Sequence, residues 1–151
     1  MDVLPTYELK DLHRLVREVA AQVSLDEDTA WLALVHRPST TQTLLRVDPL
    51  PVPALLDDHD DISSHLRAAV ESFDLGWRRG VGLEHMAVTI IVRPGFTVFG
   101  PNEAVWLRGW RYSNHMQSIF TSAMVLVTEH GWLEFMSHVA GAEPRMVRSA
   151  A

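Results

Sequence analysis

The stretch Met86–Trp110, MAVTIIVRPGFTVFGPNEAVWLRGW, decides the fold. Its first part, Ala87–Val92, scarcely alternates between apolar and polar residues. A strand that is apolar on both sides belongs in the middle of a sheet covered on both faces. Arg93-Pro94-Gly95 breaks it, because proline and glycine end regular ladders. Gly100-Pro101 is a second breaker, and Asn102 is a residue type that caps helices. The spacing beyond predicts a helix over Glu103–Phe120. One face carries Trp106, Trp110, Met116 and Phe120; the other carries Arg108, Arg111, His115 and Ser118. A strand–loop–helix junction of this kind is where many folds place chemistry.

Working outward, apolar residues at three- and four-residue steps (Leu9, Leu12, Val16, Val19, Val23) predict an amphipathic helix over Tyr7–Val23, capped by Thr6. Thr29–His36 and Thr41–Val47 read as a hairpin. Asp48–Pro53 is rich in proline and is expected to be an extended connector. Ile62, Leu66, Val70 and Phe73 mark a helix over Asp61–Leu75, and the central strand spans His85–Val92. Ser122–Thr128 and Trp132–His138 are expected as closing strands, the second at an edge. The order α-β-β-α-β-α-β-β predicts a single α/β domain over residues 1–139, three-layered, with a mixed sheet. Residues 140–151 show no apolar period and are expected to be a flexible tail.

Composition narrows the function. The chain has 151 residues, no cysteine and a formal charge of −6. Without cysteine there are no disulfides, thiolate nucleophiles or Cys-ligated zinc. An acidic chain disfavours nucleic acid, which needs a positive face such as Arg78, Arg79, Arg108 and Arg111 together would make. Residues 1–14 lack the basic-then-apolar pattern of a secretory signal, and no apolar run approaches the roughly 20 residues that span a bilayer. The expectation is a cytoplasmic protein with no membrane partner. Lys10 is the only lysine, an arginine bias common in GC-rich bacterial genomes.

No catalytic motif is present. The acidic run Asp57–Asp61 lacks the spacing of a calcium loop and reads as a solvated helix start. The 8 histidines include no H-x-H or H-E-x-x-H spacing; His130 and His138, at either end of one strand, are the pair folding is most expected to gather. Gly80-Val81-Gly82 precedes a strand, whereas a dinucleotide fingerprint follows one. No catalytic residue, metal ligand or cofactor is assigned. The aromatic–arginine helix Trp106–Tyr112 reads as core tryptophans beneath solvated arginines, with Arg108 and Arg111 open to an interface role.

The layout of hairpin, helix, central strand ending at a proline loop, helix and two closing strands resembles the JAB/MPN metalloprotease-like domains, in particular the RadC-type bacterial members. In that family the central strand ends in H-x-H-P and an S-x-x-D opens the next helix. The two histidines and the aspartate hold zinc, and an upstream glutamate acts as general base. Here the strand ends in Ile91-Val92-Arg93-Pro94 and the helix opens with Gly100-Pro101-Asn102-Glu103. The proline and an acidic residue match. Both histidines are replaced, by Ile91 and Arg93, and the serine position falls on Gly100. The resemblance therefore implies a metal-free, non-catalytic relative.

Two readings follow. The first is a JAB-like scaffold or protein-interaction domain, self-associating, that uses the Arg93–Glu103 loop with Arg108 and Arg111 and forms a homodimer through the edge strand Trp132–Met136. The second is a small-ligand binder or hydrolase with Arg93, Glu103, Arg111, His115 and His130 around a pocket at the strand end.

Overall fold

The computed structural model describes residues 9–52, 59–73, 85–113 and 120–147; at residues 59–61, 111–113 and 120–122 the backbone alone is described. The chain runs α1 (Leu12–Gln22), β1 (Thr29–His36), β2 (Thr43–Leu50), α2 (His59–Ser72), β3 (His85–Val92), α3 (Pro101–Ser113), β4 (Phe120–Thr128), β5 (Gly131–Glu134) and β6 (Ala140–Gly141). The strands form one mixed sheet in the order β2-β1-β3-β4-β5-β6. β3 pairs antiparallel with β1 and parallel with β4. The parallel pair is bridged by α3, as a parallel connection requires a crossover.

β3 is central and its residues from Met86 to Val92 are all buried. Met86, Val88, Ile90 and Val92 face the cluster formed with Leu15, Val16 and Val19 of α1. Ala87 and Ile91 face the opposite cluster, with Ile62, Leu66 and Val70 of α2 and Trp106 of α3. The unbroken apolar run thus feeds two cores at once, which makes the three-layer α/β sandwich.

The first helix starts later than its apolar period suggests. Asp11 is the cap: its side chain accepts from the Arg14 N–H at 3.0 Å, and Leu9 and Lys10 lie outside the helix. A second anchor comes from Gln42, which is 2% exposed. Its side-chain oxygen accepts from the Asp11 N–H and its amide donates to the Asp11 carbonyl, both at 2.7 Å. Gln42 therefore pairs with Asp11 as a backbone neighbour would, tying the helix start to the hairpin loop.

The expected connector at Asp48–Leu50 is instead the end of β2, an edge strand, where Pro49 with no N–H to donate is tolerated. Phe120, expected at the end of a helix, opens β4.

Two further expectations are corrected. The strand at Trp132–His138 stops at Glu134, because the Glu134 carboxylate turns back to accept the Met136 N–H at 2.6 Å and the Ser137 N–H at 2.9 Å. It is not an edge either: Trp132 and Leu133 pair with Gly141 and Ala140 of β6. Nor are residues 140–147 a flexible tail. Met146 is 6% exposed within the α1-side core. Its N–H donates to the Thr128 carbonyl, and the Val147 N–H to that of Leu25. Gly141 lies directly over Trp132, where a Cβ would sit 2.6 Å from the indole nitrogen. The Trp132 N–H in turn donates to the Glu143 carbonyl at 2.9 Å. One contact glycine and one buried methionine dock this segment, and neither creates a periodic signal. Residues 148–151 lie outside the described residues.

Candidate functional site

β3 ends at Val92, and residues 93–100 form the loop to α3. The geometry of this loop is set by Arg93. A guanidinium has five N–H donors. Nε donates to Glu103 Oε2 at 2.9 Å and Nη2 to Glu103 Oε1 at 2.6 Å, a two-pronged ion pair. Nη1 reaches the carbonyls of Pro94 at 3.0 Å and Phe96 at 3.3 Å, and Nη2 also reaches that of Val98 at 2.7 Å. One side chain thereby satisfies three loop carbonyls and a carboxylate. Hydrogen bonding to Glu103 raises the guanidinium above its ordinary range; burial works against this, and the Glu103 charge adds to it.

Glu103 is fully buried. Oε1 also accepts the Gly100 N–H at 2.8 Å. Gly100 thus stands before Pro101, the first helical residue, while Glu103 reaches back to it as the acidic half of a capping box. On the other side of the loop, the Thr97 and Thr128 hydroxyls share a hydrogen bond of 2.6 Å, and the Gly95 N–H donates to Glu129 Oε1 at 3.1 Å. Gly95 has φ of 108°, a left-handed conformation that suits glycine.

The loop is thus fixed from within while its tip is apolar and exposed. Phe96 is 80% and Val98 64% exposed. The Phe96 ring stacks beside that of His130, with centroids 6.2 Å apart.

Of the six candidates read from the sequence, Arg93 and Glu103 meet each other, and His130 lies across the loop against Phe96. Arg108 is exposed on α3. The Arg111 side chain and all of His115 lie outside the described residues. His138, at positive φ in the turn after β5, does not meet His130 in any described contact.

A cleft of about 260 Å³ opens beside the same loop, lined by Asp28, Thr29, Val52, Ile91, Val92, Arg93, Pro94, Asn102, Glu103 and Trp106. Asp28, Thr29 and Val52 were not legible as site residues, since the hairpin brings them there from elsewhere in the chain. The Trp106 indole N–H has no partner among the described residues, yet it is sealed from solvent. A ligand in the cleft does not reach it without rearrangement. Among the described residues no three His, Asp or Glu side chains group to hold a metal ion, and no helix is long and apolar enough to cross a membrane. No protein-family model, curated protein or solved structure matches the chain.

Proposed function

We propose that this chain is a non-catalytic, JAB-like interaction domain that self-associates through the tip of the 93–100 loop. The observation that carries the reading is the contrast between the loop's backbone and its tip. The backbone is held by Arg93, while Phe96 and Val98 stand in water at 80% and 64% exposure. Large exposed apolar side chains on an already ordered loop favour association, because little conformational entropy is left to lose on docking. In the JAB-like reading, Arg93 takes a metal-ligand position and Glu103 the aspartate position. Their ion pair is then an internal replacement for the cation's charge, and it supplies neither an open coordination site nor a base.

The loop tip is favoured over the sheet edges as the contact surface. β2 carries Pro49 and the charged Arg46, and β6 is 2 residues long, so neither offers a long bare ladder. The small-ligand reading is weaker. The cleft, at about 260 Å³, lies below the roughly 300–1,000 Å³ usual for ligand pockets, and two of the charged side chains lining it, Arg93 and Glu103, are paired with each other.

Sedimentation equilibrium of the purified chain tests the proposal. Wild-type protein is expected to form a dimer that dissociates on dilution. The Phe96→Ser/Val98→Ser variant is expected to remain monomeric, with thermal unfolding unchanged at dilutions where wild-type protein is also monomeric. A wild-type monomer at all concentrations, or a dimer that survives the double substitution, overturns the reading.

A further inference from the structure

The opposite end of β3 carries a feature that no spacing rule reveals. His36, the last residue of β1, is the register partner of His85, the first residue of β3. Their rings lie 4.9 Å apart, centroid to centroid, at an interplanar angle of 39°. Directly opposed residues of antiparallel strands hold their Cβ atoms about 4.5–5.5 Å apart, so the backbone itself fixes this approach. Both residues are half-buried, so solvent still reaches the pair. Both follow the alternation of Leu34 and Ala87, which places them on the sheet face that α2 and α3 cover.

From this juxtaposition we infer a two-imidazole binding site for a divalent transition-metal ion of the zinc, nickel or copper(II) class. Imidazole nitrogen is a ligand these ions share, whereas magnesium and calcium prefer oxygen. The spacing suits one shared ion. A metal about 2.0–2.1 Å from an imidazole nitrogen lies roughly 3.2 Å from the ring centroid. Two such rings at ligand angles of about 90–110° then have centroids roughly 4.5–5.2 Å apart. The observed 4.9 Å falls inside that interval. Rotation about the terminal torsion of each side chain selects which nitrogen faces the ion. Water completes the coordination sphere, so the site is open rather than a closed structural one. It is separate from the Arg93 loop, which occupies the other end of the same strand, and does not depend on the function proposed for that loop.

Calorimetric titration of the full chain, freed of metal by chelator and dialysis, tests the inference with Ni²⁺ and Zn²⁺ as probes. Wild-type protein is expected to bind one ion. His36→Ala and His85→Ala are each expected to weaken binding about tenfold or more, since each removes one of two ligands. His59→Ala, which alters the histidine in the acidic run, and His130→Ala are expected to leave it unchanged. Circular dichroism verifies that the variants fold. Histidine ring resonances of wild-type protein give a reading independent of substitution: paramagnetic Ni²⁺ is expected to broaden those of His36 and His85 first. Absence of binding by wild-type protein, undiminished affinity in either variant, loss of binding on His59→Ala, or broadening that begins at other histidines overturns the inference.

Discussion

The two ends of β3 use polar side chains in opposite ways. At the carboxyl end, Arg93 and Glu103 satisfy one another and the loop around them, leaving an ordered backbone with an apolar tip. At the amino end, His36 and His85 stand ring to ring across two strands while still open to solvent. A guanidinium whose donors are filled by internal acceptors serves rigidity, whereas two opposed imidazoles place two ligands of one chemical kind within reach of a shared ion. The difference teaches that charge at a strand end is not by itself a sign of an open site. What decides is whether the acceptors already belong to the fold.

Substitutions that break this contrast should differ in size. Arg93→Ala should have the largest effect, because it strands the buried Glu103 carboxylate without its partner. A loss of about 3–5 kcal/mol in urea unfolding is expected. The double change Arg93→Met/Glu103→Leu should recover only part of it: an apolar pair of similar volume avoids the unpaired charge but leaves the loop carbonyls and the Gly100 N–H without their partners. A cost below about 1 kcal/mol for Arg93→Ala would show that the pair does not hold the loop.

Gly131→Ala comes next. At φ of 131° its new Cβ would lie 2.2 Å from the Gly141 carbonyl oxygen, which belongs to backbone and cannot swing aside. A loss of about 2–3 kcal/mol is expected, with release of the 140–147 segment, visible as faster amide exchange at Met146. Thr97→Val removes one of two partners of the fully buried Thr128 hydroxyl, which still accepts the His130 N–H at 3.1 Å, and should cost about 0.5–1.5 kcal/mol by the same unfolding measurement. At dilutions where wild-type protein is monomeric, Phe96→Ser/Val98→Ser should change stability by no more than about 0.5 kcal/mol, because these side chains bury little. Its main effect is expected in the sedimentation profile. If the double variant melts much earlier even at such dilution, the tip belongs to the core and the two ends of β3 differ less.

Much of the architecture was legible because it rests on short-range pattern. The bounds of β1 and β3, the stripe Leu12, Val16, Val19 and the stripe Ile62, Leu66, Val70 follow from which side chains must leave water. Arg93 and Glu103 were also singled out in the sequence, but as residues offered to a ligand or partner. Nothing in their spacing tells whether a guanidinium turns outward or back onto its own loop. Gln42, Asp28 and the docked residues 140–147 gave no signal, since each is placed by a partner distant in sequence. The histidine pair was hidden for the same reason: only the strand register brings His36 opposite His85.

The sequence by itself determined that the chain folds as an α/β sandwich around one doubly covered strand, because hydrophobic periodicity dictates which faces are buried. Tertiary structure decided which polar groups meet one another. Hydrogen bonds and ring contacts depend on distances of a few ångströms between residues far apart in the chain, and only the assembled sheet and its loops fix those distances.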